Sequence, residues 1–252
     1  MRTTLNEIAG TDYSSWSSYG YNTGDMRYTD VTLDGEKYRG VYFTTERNTK
    51  QSPNGYVAEK VYWFKYEPIS WTIIDRDAET GRVFIFCDLA IDSQPFQSGD
   101  VPSGSYKNNY ELSTVRTWLN ETFYNTAFSE LQKQFIVNTE VVNDAASAGN
   151  TTDTYICKNT QDNIFLLSYA EVGQYFPGVE DSTRKKYPTD YALAQGVSKN
   201  SKNVIEWWLR SPYPSEPSEI KVRAVSTTGN RTYFNSPGST DMGVLPALWI
   251  KL

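Results

Sequence analysis

The chain of 252 residues carries a formal net charge of -6, has 21% charged and 38% hydrophobic residues, and contains no histidine. The missing histidine excludes Ser-His-Asp and Cys-His catalysis, histidine-ligated zinc or non-haem iron, and a histidine pH switch. The acidic balance argues against nucleic-acid partners and anionic membranes, which call for a lysine and arginine excess, and no run of about 18 apolar residues is present to insert directly into a bilayer.

A chain of this length buries roughly 70–75% of the surface it exposes when unfolded, enough for one packed core without staples. Residues 1–30 read as an irregular N-terminal arm, because Thr11 to Tyr21 is rich in Ser, Tyr and Gly without helical or strand period. From Val31 the pattern becomes β: Asp34-Gly35 separates Val31-Thr32-Leu33 from Tyr38–Phe43 as a hairpin signal. Val61–Tyr66, Ile69–Ile74 and Val83–Phe86 follow as strands. The middle third is helical, with Val115, Trp118, Leu119 and Thr122 on one face after a cap at Ser113 or its neighbour, and capping boxes at Ser129…Gln132 and Ser168…Glu171. Ile164–Leu167 reads as a buried strand, and a helix over Thr189–Ala194 stops at Gly196. The last third returns to β at Trp207–Arg210, Ile220–Val225 and Val244–Ile250, so the chain predicts an α+β fold whose terminal strands pair in one sheet with helices packed around it.

Chemistry-bearing patterns are sparse. Cys87 sits in the apolar run Val83–Cys87 and reads as core, and Cys157 can pair with it only if the fold brings the two together. Glu140, Asp144, Asp162, Glu171, Asp190 and Glu206 form no recognisable catalytic pair. Asp75-Arg76-Asp77 with Glu79 reads as a solvated turn before Thr80-Gly81, not a calcium loop, and Arg184-Lys185-Lys186 reads as a solvated face. No cofactor and no metal are implied. The segment Ser226–Asp241 stands apart, because it contains no Lys, Glu, Gln, Met or Trp.

Several signatures occur together in order: Ile91–Phe96, Ser113–Asn120, Ala127-Phe128-Ser129, Ile164–Ser168, Pro188–Ala192, Trp207-Trp208-Leu209-Arg210-Ser211-Pro212 and Gly243–Ile250. The series resembles a domain of gut bacteria and their phages, some members of which are variable proteins of diversity-generating retroelements. The resemblance spans about Tyr62 to Leu252 and departs at Leu245, where the family usually has arginine. It implies a C-type-lectin-like fold of the formylglycine-generating-enzyme type over residues 31–252, with a variable region at 213–242. In such systems a reverse transcriptase rewrites adenines, and AAC or AAT codons never become Lys, Glu, Gln, Met or Trp, the set missing from Ser226–Asp241.

The resemblance implies a non-enzymatic display protein at a cell surface or on a phage virion, recognising varied protein or glycan ligands. The N-terminus reads as lacking a secretory leader, so a surface location implies either a leader already removed or another route of delivery. Alternation in Ile220–Ala224 sets Lys221 and Arg223 opposite the apolar residues. The expected ligand face therefore comprises Arg223, Ser226, Thr227, Asn230, Arg231 and Tyr233, continuing through Asn235, Ser236, Ser239, Thr240 and Asp241, with Tyr213 nearby. Tyr233 and Arg231 are the expected anchors, since Tyr and Arg dominate binding hot spots. Two rival readings are a carbohydrate-binding module using aromatic platforms and an enzyme related to formylglycine-generating enzymes. The enzyme would need a cysteine-based copper site for which Cys87 and Cys157 are poor equipment.

Overall fold

Leu5 shows why the N-terminal segment is not an irregular arm: it is fully buried against Val31 and Tyr38, and it anchors helix α1 (Arg2–Ala9) on the strands that follow. The computed structural model describes residues 1–19, 25–153, 155–178, 182–215 and 219–251. Residues 20–24 of the expected arm, and residues 216–218 of the expected variable region, lie outside the described residues. After α1, Asp12 caps a short 3₁₀ turn by accepting from the Ser14 amide, and Tyr13 stacks on Tyr42 at 3.9 Å.

Strands β1 (Ser17–Ser18), β2 (Arg27–Leu33), β3 (Glu36–Tyr42) and β4 (Tyr62–Lys65) form an antiparallel sheet in that order. The β2–β3 turn has Asp34 at φ 53 and Gly35 at φ 81, the two positive values that a two-residue type I′ turn requires. Gly40 is needed for a different reason. The Trp63 ring lies across it, only 2.7 Å from where a Cβ would stand, and the indole donates to Asn6 Oδ1 at 2.8 Å.

The remaining elements run β5 (Trp71–Asp77), β6 (Arg82–Cys87), β7 (Leu89–Ala90) and β8 (Asp92–Ser93) before the helical middle. There α2 (Thr114–Trp118), capped by Ser113, continues through a π-helical turn, Leu119–Phe123, into α3 (Tyr124–Ala127). Next come α4 (Glu130–Lys133), β9 (Ile136–Val137), β10 (Thr139–Val141), α5 (Ala145–Ala148), β11 (Thr160–Asp162) and α6 (Tyr169–Tyr175). Both predicted capping boxes are formed, Ser129 with Gln132 on α4 and Ser168 with Glu171 on α6. After β12 (Tyr187–Pro188), helix α7 (Asp190–Ala194) is capped by Thr189 and ends before Gly196 at φ 88. The chain finishes with β13 (Trp207–Tyr213), β14 (Lys221–Val225), β15 (Tyr233–Asn235), β16 (Gly243–Val244) and β17 (Ala247–Lys251).

The architecture is α+β, with two larger sheets in this second part, ordered β5-β6-β17-β9 and β15-β14-β13-β16-β8, and two small pairs, β10-β11 and β12-β7. The expectation that the chain's terminal strands share a sheet is corrected. The C-terminal β17 pairs with β6 and β9, while β1–β4 keep a sheet of their own around a separate small core, because Leu5, Val31 and Tyr38 find enough apolar partners locally. Ile164–Leu167 is buried as expected, yet it meets the sheet through a single bridge, Phe165 to Ala247, and is not a strand.

Trp207 and Trp208 of β13 are wholly buried, the first packed on Phe86 of β6 and the second on Phe96, and their indoles donate to the Arg184 and Gln94 carbonyls at 3.1 and 2.8 Å. The N-terminal sheet is docked onto this body by side-chain amides that meet main-chain carbonyls. Gln51 donates to Ala194, Asn54 to Leu193 and Val197, and Asn48 to Gly196. Cys87 is buried and Cys157 half-buried, and both are free thiols. Among the described residues, no helix is long and apolar enough to cross a membrane.

Candidate binding surface

The segment after β14 is shaped by its own short polar side chains. The Ser226 amide donates to the Asn230 carbonyl at 2.9 Å, and Ser226 Oγ accepts from the Thr228 and Asn230 amides at 3.2 and 3.3 Å. Asn230 Oδ1 accepts from both the amide and the hydroxyl of Thr232, and Asn235 Oδ1 accepts from the Ser236 amide and the Ser239 hydroxyl. Thr227 lies in the first turn, half-buried.

Groups outside the segment hold its main chain. Arg184 Nη1 donates to the Gly229 carbonyl at 3.0 Å, and the Gln97 amide to Pro237 at 3.0 Å. Thr240 accepts on its carbonyl from Asn48 Nδ2 at 3.1 Å and Ser93 Oγ at 2.9 Å, and the Ser198 amide donates to the Asp241 carbonyl at 2.7 Å. Arg184 and Lys186 are thereby corrected from a solvated face to buried positions. Arg184 also binds the Phe176 and Gly178 carbonyls, and the Lys186 ammonium lies over the Phe86 ring at 4.7 Å.

Strand register decides what the segment shows to solvent. Ala224 pairs with Tyr233 and Arg223 with Phe234, so Tyr233 shares the core-facing side with Ala224. Tyr233 donates to the Glu206 carboxylate, and burial, reinforced by that carboxylate, pushes its hydroxyl up to about 12. It is therefore not the exposed anchor that its residue type suggests. Phe234 takes that place, exposed on β15 with its ring 4.1 Å from that of Tyr213.

Arg223 is likewise corrected. It lies on the face opposite Val222 and Ala224, as alternation requires, but that face is covered, leaving Arg223 only 6% exposed. Its guanidinium packs 4.1 Å from the Tyr169 ring centre and 5.2 Å from that of Tyr213, and donates to Gly149 O and Asn150 Oδ1. Arg231 stacks on Tyr169 at 4.2 Å and donates to the Tyr169 carbonyl at 2.9 Å. The result is a series of rings and cations, Arg231–Tyr169–Arg223–Tyr213–Phe234, in which α6 supplies a member that the C-terminal third does not encode. Beside it, Ser236, Pro237 and Thr240 border a depression of about 600 Å³ whose far rim carries Gln97, Tyr106 and Lys107.

Structure thus brings Tyr213, Arg223 and Arg231 together, places Ser226, Asn230, Asn235 and Ser239 as turn-formers, leaves Ser236 exposed, and uses Thr240 and Asp241 as attachment points. Sequence reasoning missed Phe234 and Tyr169. Pairing Phe234 with Arg223 across the two strands would have exposed the first, whereas nothing local signals the second.

A family model described as a domain of unknown function, DUF6273, matches residues 80–252. The chain belongs to the DUF6273 family. No curated protein and no solved structure matches it. The DUF6273 region thus includes the whole candidate surface and all strands from β6 onward, while α1 and β1–β5 precede it. Within the DUF6273 region, Arg210 of β13 is a buried clamp that donates to the Leu166 and Val142 carbonyls and pairs with Glu171 through both carboxylate oxygens. Leu245, the departure noted in the sequence, is fully buried.

Proposed function

We propose that this DUF6273 protein is a non-enzymatic display protein of C-type-lectin-like fold, whose C-terminal surface is diversified by a retroelement to recognise varied protein or glycan ligands at a cell or virion surface. One observation carries the reading. The main chain of Ser226–Asp241 is held at Gly229, Pro237, Thr240 and Asp241 by groups outside the segment, while the side chains of Thr228, Thr232, Phe234 and Ser236 are exposed. A surface built this way accepts new side chains without losing its backbone geometry, the separation of support from contact that a variable site needs. The absence of Lys, Glu, Gln, Met and Trp from the segment agrees with adenine-directed rewriting of AAC and AAT codons.

The rival enzyme reading finds no support in the thiols. Burial pushes Cys87 up to about 12 and raises Cys157, so both stay neutral thiols near pH 7. Among the described residues, no three His, Cys, Asp or Glu side chains converge as ligands.

Sequencing many copies of the gene from a natural population tests the proposal. Substitutions are expected within 213–242 at positions that are adenine in a near-identical template repeat beside a reverse transcriptase gene, concentrated at Thr228, Thr232, Phe234 and Ser236 and sparing Arg184 and Arg210. Substitutions spread evenly along the gene, or no such repeat, would overturn the diversification claim.

A further inference from the structure

A second site lies where the N-terminal sheet meets the DUF6273 region. Strands β4 and β5 are both sheet edges, joined by the short connector Tyr66-Glu67-Pro68-Ile69-Ser70, and the two sheets part around it to leave a cleft of about 1380 Å³. That exceeds the roughly 300–1,000 Å³ of pockets for drug-sized ligands, and junctions between folding units are where such sites concentrate.

Four rings that line the cleft form a continuous series: Trp71 to Phe128 at 6.3 Å, Phe128 to Phe123 at 5.8 Å and Phe123 to Trp118 at 5.5 Å. Trp71, Phe128 and Trp118 are only half-buried, so ring surface is left open. The N-terminal sheet adds Tyr28 and Tyr66 on either side of Arg39. Arg39 is already neutralised by a two-pronged pair with Asp30 at 2.8 and 2.9 Å, and Lys65 by Glu36 at 3.1 Å. Glu67, Glu121 and Asp190 also line the cleft, and no ion pair to them is formed among the described residues.

This chemistry narrows the ligand. Unpaired carboxylates repel anions, and a purely apolar ligand would strip water from them without replacing its hydrogen bonds. A compact quaternary cation fits rings that close around one point, whereas these rings are strung out in series. A chain of sugar rings satisfies both features, since its CH faces lie on aromatic rings and its hydroxyls donate to carboxylates. The geometry points to this cleft as a binding site for a neutral oligosaccharide, separate from the C-terminal surface and independent of any diversification.

The full chain is titrated by calorimetry and tryptophan fluorescence with cellotetraose, maltotetraose, mannotetraose and chitotetraose. At least one is expected to bind with a Kd below about 1 mM. Trp118→Ala should weaken that binding about tenfold. Because Trp118 also packs against Phe123, the exposed pair Glu67→Gln with Glu121→Gln provides a second reading, weakening binding about threefold at unchanged Tm. Phe234→Ala, on the other surface, should leave the affinity as it was. Failure of all four sugars to bind, binding that survives Trp118→Ala, loss with Phe234→Ala, or Trp118-dependent binding of choline or oligolysine in their place would overturn the proposal.

Discussion

Asp92 is 3% exposed, beside the cleft and close to the docking loop. Burial, opposed by the nearby Arg47 charge and by hydrogen bonds from the Ser93 amide and the Gln94 side chain, pushes its carboxyl up to about 6. The folded protein therefore favours the protonated form. Its contribution to stability is full below the ordinary aspartate value near 4, falls as pH rises towards about 6, and is constant beyond. Asp92→Asn should raise stability at pH 7 by up to about 3 kcal/mol and flatten that part of the pH profile. Thermal melts of both proteins at pH 4.5 and 7.5 check this, and equal pH slopes would show the carboxyl is not strained. Asp30 contributes with the opposite sign: despite the cost of burial, the Arg39 pair lowers its carboxyl, so its contribution is lost as pH falls. Comparing wild type with Asp92→Asn isolates the one group. None of this was readable in the sequence, where Ile91–Phe96 stands out as a signature but Asp92 carries no sign of its burial.

At the scale of elements, short-range chemistry was legible and long-range chemistry was not. The Asp34-Gly35 hairpin, the Ser113 cap, both capping boxes and the α7 stop at Gly196 all depend on residues within a few positions of one another, and all formed where predicted. Helix α1 was missed because a single buried residue, Leu5, secures it, and that contact lies on strands more than twenty residues away. The alternation in β14 correctly set Arg223 opposite the apolar residues, but sequence spacing says nothing about the Tyr169 ring that covers it. The basic run at Arg184 was misread for the same reason, since its acceptors are the carbonyls of Phe176, Gly178 and Gly229. Arg184→Ala would leave these without that donor and should cost about 3 kcal/mol or more. Thr228→Ala, in the turn that Arg184 supports, should change stability by less than about 0.5 kcal/mol. Denaturant melts of the pair test whether Arg184 is the support and the turn side chain is free to change.

For the molecule as a whole, the DUF6273 region and the N-terminal sheet divide the work. The former carries the tryptophan-rich core and the candidate C-terminal surface, and the latter closes one side of the aromatic cleft through the Gln51, Asn54 and Asn48 contacts. Asn48 reaches further, holding the Thr240 carbonyl as well, so the docked sheet helps to fix the surface that we propose to vary. The absence of histidine removes histidine-dependent catalytic routes from the entire chain. The most direct measurement replaces four exposed side chains at once, Thr228→Asp, Thr232→Tyr, Phe234→Ser and Ser236→Arg, and follows thermal unfolding. Losing the Phe234–Tyr213 ring contact accounts for about 1 kcal/mol, so a cooperative transition within about 5 °C of the parent Tm is predicted. A fall of more than about 10 °C, or loss of cooperativity, would mean that these side chains hold the fold together and that the segment is not a surface built to vary.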